Sequence, residues 1–290
     1  MRAPVGAFVA RPKPQEEVRT RLRPLLGDRV GALPVKWELR GDVAVVRLGA
    51  AGFSGDEARA AAAVYADVLG MRIVFDERGG IRGALREPDL VRLHGEGAAE
   101  TEVLQDGIRY RFDAERVMWS SGNVDERLRM GRVDARGETV ADLFAGIGYF
   151  TLPLLVHSGA ARAVACELNP LAARYLRANA DGARVAERIE VREGDCRGVA
   201  PNGVADRVVQ GYFPHGHRFL DVALRCLRPE GGIVHYHDTV GVDRFEAEMR
   251  ANFARALVAT PFVLRAAAAR VVKSHSPGMV HAVLDAEVRA

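Results

Sequence analysis

Polar and apolar positions follow two different arrangements along this chain, changing near residue 104. In the C-terminal part, short apolar runs recur with helix-compatible segments between them. The runs are Val140 to Phe144, Ala161 to Cys166, Ile189 to Val191, Ala205 to Val209 and Gly232 to Tyr236. The intervening segments include Tyr149 to His157, Leu171 to Asn179 and Arg218 to Leu227. Strands alternating with helices in this way predict an α/β fold, a doubly wound parallel sheet. The N-terminal part reads differently. Glu16 to Leu26 predicts a short helix, and Lys36 to Leu39 with Val43 to Leu48 predicts a hairpin around Arg40-Gly41-Asp42. Ser54 is placed to cap a helix over Gly55 to Leu69, with Asp56 and Glu57 in its first turn. Met71 to Asp76 predicts a strand, Arg78 to Glu100 a glycine- and charge-rich loop or linker, and Val103 to Phe112 a hairpin around Asp106-Gly107. The expected division is a small α+β module over 1–104 and an α/β domain over 105–290.

The most informative junction is VADLFAGIGYF, residues 140–150, where an apolar run meets the turn Ala145-Gly146-Ile147-Gly148 and then a helix. Strand, glycine turn and helix in that order open the ligand site of α/β nucleotide-binding folds, because the glycines let backbone approach the ligand beside a helix N-terminus. The turn has no third glycine. It therefore suits a nucleoside without phosphates, such as S-adenosylmethionine, better than a pyrophosphate. A tight turn with no ligand is the plainer alternative. Two acids argue against that alternative: Glu167, roughly 20 residues on at the tip of the second strand, is placed for ribose hydroxyls. Asp195, after the third strand, is placed near an adenine.

The segment Asp113 to Met130 joins the two parts and is rich in polar chemistry. Ser120, Ser121 and Asn123 offer hydrogen-bonding groups, and Arg127 and Arg129 follow. One reading is a capped, solvated basic helix. The other turns Ser120 and Arg127 toward the cofactor, with Arg127 holding a carboxylate.

Composition narrows the classes. Hydrophobic residues make up 48% and charged residues 27% of 290 residues, which fits a globular protein with a sizeable core. No apolar run approaches the ~20 residues that cross a bilayer, and the N-terminal stretch is too short for a secretory signal. Cys166, Cys196 and Cys226 are odd in number and lack paired spacing, so a disulfide framework or zinc site is not expected and a cytoplasmic setting fits. The net charge is +3, and only Lys13, Lys36 and Lys273 among 41 basic residues are lysines. Arginine suits bidentate phosphate contacts, but a GC-rich genome produces the same bias, and the near-balanced charge permits nucleic-acid binding without requiring it.

Five segments together carry a family resemblance: FDAERVMWSSGNVDERLRM (112–130), DLFAGIGYFTLPL (142–154), ADRVVQGY (205–212), GGIVHYHDTV (231–240) and SPGMVHAVLDAEV (276–288). The chain resembles the wybutosine-synthesis tRNA aminocarboxypropyltransferases, grouped with the tRNA guanosine-37 methyltransferases. LPVKWELRGDVAVV (33–46) is similar to that family's N-terminal region. The resemblance implies a Rossmann-like domain using S-adenosylmethionine as co-substrate. It implies that Ser120 and Arg127 meet the methionine part, Glu167 with Leu168 the ribose, and Asp195 with its neighbour the adenine. The glycine-turn residues Asp142, Phe144, Ala145, Gly146 and Gly148 would line the cofactor. The neighbour of Asp195 is often asparagine in the family and is Cys196 here, a weak hydrogen-bond partner. Gly211 and Tyr212, preceded by Gln210, match the aminocarboxypropyl branch, where the methyl branch tends to carry an Asn-Leu-Pro-like motif. The implied acceptor is a carbon of the tricyclic wyosine-precursor base at position 37 of tRNA-Phe.

A sulfonium carries three activated C–S bonds, so an enzyme chooses the product by choosing which carbon faces the nucleophile at roughly 3–3.5 Å. Arg127, Tyr212, His215 and His237 are the candidate positioning residues. His215, His217, His235, His237 and Lys273 are candidates for substrate contact or proton transfer at C-terminal strand ends; a structural role for the histidines is the alternative. Lys273, His275 and His281 either meet phosphate or base or form solvated surface. No metal is expected, since neither the family nor a third anchoring carboxylate supports one. The partners expected are tRNA or a small-molecule acceptor, with no membrane and no obligate protein partner. Three alternatives stay open: aminocarboxypropyl transfer to a small acceptor, methyl transfer to tRNA guanosine, and a noncatalytic tRNA- or partner-binding role.

Overall fold

The computed structural model describes residues 12–290, so most of the N-terminal stretch considered as a possible signal lies outside the described residues. The chain forms two compact units. The first holds the described residues up to Gly83 with Glu87–Glu102 and Asp113–Met118; the second holds Ala84–Arg86, Val103–Phe112 and Trp119–Ala290.

The first unit begins with α1 (Pro14–Leu26), whose Pro14 occupies the first turn, where no amide hydrogen is needed. Next come β1 (Glu38–Arg40), β2 (Val43–Val46), α2 (Gly55–Leu69), β3 (Ile73–Arg82) and β4 (Glu87–His94), the strands lying in the order β1-β2-β3-β4. The N-terminus of α2 is a capping box. Ser54 Oγ accepts from the Glu57 amide, and the Glu57 carboxylate accepts from the Ser54 amide at 2.8 Å. Its buried face is mostly small, with Ala58, Ala61, Ala62 and Tyr65 packed on Ala44, Val46 and Val74 of the sheet and on Val18 and Leu22 of α1.

The expected loop over Arg78 to Glu100 is in fact strand: β3 runs on to Arg82 and β4 returns antiparallel beside it. The ladder shifts register between Glu77 and Ile81, and Gly80 in that gap has φ +74°. A bulge accommodates the glycines, and charge is tolerated because the outer ladder edge of β4 lies at the edge of the sheet.

A two-stranded hairpin follows, β5 (Glu100–Gln105) and β6 (Ile108–Asp113), turning at Asp106 and Gly107 with φ 50° and 76°. Then come α3 (Val124–Met130), β7 (Thr139–Asp142), α4 (Thr151–Val156), β8 (Arg162–Glu167), α5 (Pro170–Gly182), β9 (Ile189–Glu193) and α6 (Cys196–Val199). The remainder is β10 (Arg207–Gln210), α7 (Leu220–Cys226), β11 (Gly231–Gly241), α8 (Phe245–Leu257), β12 (Val263–Ser276) and β13 (Met279–Arg289). Seven strands form one sheet in the order β12-β13-β11-β10-β7-β8-β9.

Five neighbours, β11-β10-β7-β8-β9, run parallel, as the alternating pattern predicts. The sheet as a whole is mixed, not purely parallel, because β13 lies antiparallel between β11 and β12. Cys166, Cys196 and Cys226 lie in its core with Leu143, Val208 and Tyr236, each no more than 3% exposed. Burial pushes all three thiols up to about 12. Among the described residues no helix is long and apolar enough to cross a membrane.

Candidate functional site

The glycine turn leaves the carboxyl end of β7. Asp142, the last residue of that strand, is fully buried and pins the turn from below. One carboxylate oxygen accepts from the Phe144 amide at 3.2 Å and the other from the Thr151 hydroxyl at 2.7 Å, tying the strand end to the start of α4. Burial pushes this carboxyl up to about 6, against those two hydrogen bonds. Gly146 and Gly148 have φ +57° and +102°. A Cβ on Gly146 would lie 2.8 Å from the Tyr149 ring, and one on Gly148 would lie 2.6 Å from Leu152 Cγ. Ala145 is buried against Leu176, Ile189 and Val191, and only the bare backbone of the turn is on offer to a ligand.

Glu167 ends the neighbouring strand β8 and reaches across to that turn. Its Oε2 accepts from the Gly146 amide at 2.7 Å and its Oε1 from the Asn169 amide at 2.7 Å. Burial raises its carboxyl, while the amides of Asn169, Gly146 and Leu168 hold it back. Leu168 is 40% exposed beside it. Asp195 caps α6, accepting from the Arg197 amide at 2.9 Å, and its side chain is half exposed. The Cys196 thiol turns the other way, into the core, so only its backbone is on the side of Asp195. That orientation fits a contact at Cys196 made by backbone in place of the side chain.

Arg127 on α3 is 1% exposed. Its Nε and one terminal nitrogen donate to Gln105 Oε1 at 3.0 and 2.6 Å, and the other donates to the Ser120 carbonyl at 2.5 Å. The guanidinium lies 4.8 Å from the Trp119 ring centre and 5.5 Å from that of Tyr149. Its neighbour Glu126 pairs instead with Arg129, and among the described residues no carboxylate pairs with Arg127. Burial lowers its pKa. Gln105, the residue that orients this guanidinium, carries no signal in the sequence, since it lies in a hairpin 22 positions away.

Gln210 ends β10, fully buried; it donates to the Tyr212 carbonyl at 3.0 Å and accepts from the His237 amide at 3.2 Å. That holds Gly211 against Phe150 and sets the Tyr212 ring 5.0 Å from Phe144 and 5.4 Å from Phe219. The Arg86 guanidinium lies 5.4 Å from the Tyr212 ring centre and donates to the Phe213 carbonyl at 3.2 Å.

The histidines divide into two kinds. His215, at φ +69°, and His217 are exposed after β10, and His217 Nδ1 lies 3.0 Å from the buried Asp238 carboxylate. His235 and His237 are 2% and 0% exposed, so the expectation that they present themselves to a substrate is corrected. His235 sits between Asp285, 2.5 Å from Nδ1, and Arg207, 2.8 Å from Nε2. His237 Nδ1 lies 3.0 Å from His281 Nε2, and its ring stacks 5.3 Å from Phe150. His281 is fully buried under Phe213 at 3.9 Å, which removes it from the solvated surface. Burial drives His237 down to about 3 and His281 to about 2, so both are neutral imidazoles. Lys273 on β12 stands opposite His281 in the ladder, its ammonium 2.6 Å from where a Cβ on Gly122 would lie. Among the described residues no cluster of three or more His, Cys, Asp or Glu side chains has the arrangement of a metal site.

The family model described as the TRM5/TYW2 methyltransferase domain matches residues 101–257. A relative from Pyrococcus horikoshii, named tRNA(Phe) (4-demethylwyosine(37)-C(7)) aminocarboxypropyltransferase, is 33% identical over 93% of this chain and 97% of its own length. The chain belongs to the TRM5/TYW2 family. A crystal structure of P. horikoshii TYW2 in complex with MeSAdo superposes with a TM-score of 0.81 at 31% identity, covering 95% of this chain and 99% of that one. A rice relative, tRNA wybutosine-synthesizing protein 2/3/4, is 41% identical over 64% of this chain, which spans only 18% of it.

A TRM5/TYW2 fold binding S-adenosylmethionine must accommodate a nucleoside and an amino-acid arm, and the residues present fit both. The bare glycine turn, Glu167 and Asp195 line up along the ends of β7, β8 and β9. The buried Arg127 supplies a cation with no anionic partner among the described residues.

Proposed function

We propose that this protein transfers the 3-amino-3-carboxypropyl group of S-adenosylmethionine to the tricyclic wyosine-precursor base at position 37 of tRNA-Phe, releasing methylthioadenosine. The observation that carries the reading is Arg127. A guanidinium buried without a carboxylate is costly unless a ligand completes the pair, and the co-substrate's α-carboxylate is an anion of the right kind. The likeness to an archaeal aminocarboxypropyltransferase over nearly its whole length supports the same transfer and supplies the acceptor.

The bound sulfonium supplies activated C–S bonds. The protein then has to orient groups. Gln105 and the Ser120 carbonyl fix the guanidinium plane of Arg127, so that one arm of the ligand is anchored and the γ-carbon can be turned toward the acceptor. Glu167 takes the ribose hydroxyls, and Asp195 with the Cys196 backbone takes the adenine edge. The ring cluster of Phe144, Tyr212 and Phe219 provides an aromatic wall beside the strand ends. The exposed His215 and His217 and the half-buried Lys273 are assigned to the tRNA side of the reaction. The N-terminal module, 1–104, positions the tRNA. Its exposed arginines are engaged in pairs such as Arg21–Asp67, Arg47–Glu77 and Arg72–Asp42, which are weak enough at a surface to exchange for phosphate.

Mass analysis of the nucleoside product, with tRNA-Phe carrying the tricyclic precursor as acceptor, tests the proposal. Methylthioadenosine with a matching mass gain on the tRNA is expected. S-adenosylhomocysteine would make the protein a methyltransferase and overturn it.

A further inference from the structure

Asn123 is only 7% exposed, yet its buried side-chain oxygen has no donor among the described residues. Leaving a buried carbonyl without a partner forfeits its hydration, so such atoms in native proteins call for an explanation. Its position suggests one. Asn123 closes the short turn Ser121–Asn123 and stands immediately before α3, four residues ahead of Arg127. Residues so spaced lie on the same side of a helical turn. The link is also direct: the Ser120 carbonyl accepts from the Asn123 amide at 3.2 Å and from the Arg127 guanidinium at 2.5 Å. The backbone N–H of the residue that carries the unpaired acceptor and the guanidinium that lacks an anion thus donate to one carbonyl oxygen.

We infer that Asn123 and Arg127 together form a clamp for a zwitterionic α-amino acid, Arg127 taking the carboxylate and Asn123 Oδ1 the ammonium. The inference rests on the proposed use of S-adenosylmethionine, whose arm ends in such a group, and adds what fixes that arm at its second point. One contact on the carboxylate leaves the arm free to swivel; two contacts fix the direction of the chain that carries the γ-carbon. An amide suits this position better than a carboxylate. Aspartate here would pair with Arg127 internally and remove the cation from the ligand's reach, whereas a neutral acceptor leaves it available.

Binding measured by titration calorimetry separates the contributions without relying on turnover. For Asn123→Ala, S-adenosylmethionine is expected to bind roughly ten- to a hundredfold more weakly, while methylthioadenosine, which has no amino-acid arm, binds as it does to the native protein. Methylthioadenosine also reports that the variant is folded around its nucleoside site. A sulfonium analogue that keeps the carboxylate but lacks the α-amino group should bind variant and native protein equally. Unchanged S-adenosylmethionine affinity overturns the clamp. So does an equal loss for methylthioadenosine, or a loss of the same size for the deaminated analogue. None of these outcomes alters which nucleoside product the native enzyme releases, so the clamp and the proposed transfer fail separately.

Discussion

At the scale of single residues, burial decides the chemistry of this site. Arg127 keeps its charge in the interior, and the planar fork is what meets Gln105 and the Ser120 carbonyl at once. A lysine there would bring a point charge without that geometry. Arg127→Lys is therefore expected to lose more than about tenfold in S-adenosylmethionine affinity while methylthioadenosine affinity holds; equal binding of both ligands by variant and native protein would remove Arg127 from the site. Asp142 gives a pH signature. Burial lifts its folded carboxyl from the ordinary 3.8 to about 6, so the folded state favours the protonated form. The resulting penalty appears as pH rises above about 4 and is complete above about 6, where it reaches about 3 kcal/mol. Asp142→Asn removes the titration, so its melting temperature relative to the native protein should climb between pH 4 and 7; a pH-independent difference would contradict the assignment. Gln105 and Asp285 were illegible at this scale, and Asn123 was legible only as a hydrogen-bonding group in a polar turn. Each matters through a partner or an empty valence that only the folded chain brings close.

At the scale of elements, the parallel half of the sheet was legible because each strand is a short apolar run closed by a turn. The antiparallel half was not. Residues 265–270 read Arg-Ala-Ala-Ala-Ala-Arg, and alanine favours helix, yet this stretch is the edge strand β12 because β13 offers it a ladder. The start of β3 was legible in Met71 to Asp76, but its continuation to Arg82 and all of β4 were hidden by their glycines and charges for the reason a bulged edge tolerates both. The hairpin at Asp106-Gly107, by contrast, follows from turn chemistry that needs nothing distant. Where β11, β13, β12 and α3 meet, Asp285 binds His235, Arg129 and Arg270 together. Burial opposes its charge, but the histidine and two guanidiniums around it draw its carboxyl well below the usual range. Asp285→Ala leaves the buried His235 and the half-buried Arg129 and Arg270 without that acceptor and is expected to cost about 1–3 kcal/mol in denaturant unfolding. A loss under about 1 kcal/mol would mean the network is not cooperative.

At the scale of the whole molecule, the change in arrangement of apolar residues near residue 104 gives the expectation of two parts. The compact units of the structure interleave in sequence, Asp113–Met118 falling with the first and Ala84–Arg86 with the second. The mixed sheet was not legible, since it depends on the last two strands. The charge balance stays close to neutral because arginine is matched by acid almost residue for residue, 41 basic against 38 acidic. The three thiols of the second unit have a further consequence. With ionisation deferred to about 12 and almost no exposed surface, they are silent toward alkylating agents and peroxide while the sheet is closed. They are thus a built-in clock for opening. Under a thiol-reactive probe at pH 8, Cys166, Cys196 and Cys226 should react together, at a rate that follows the stability of the sheet and slows when S-adenosylmethionine is added. One cysteine reacting far ahead of the others would reveal a local opening instead. Oxidants that inactivate enzymes through surface thiols would pass this one by.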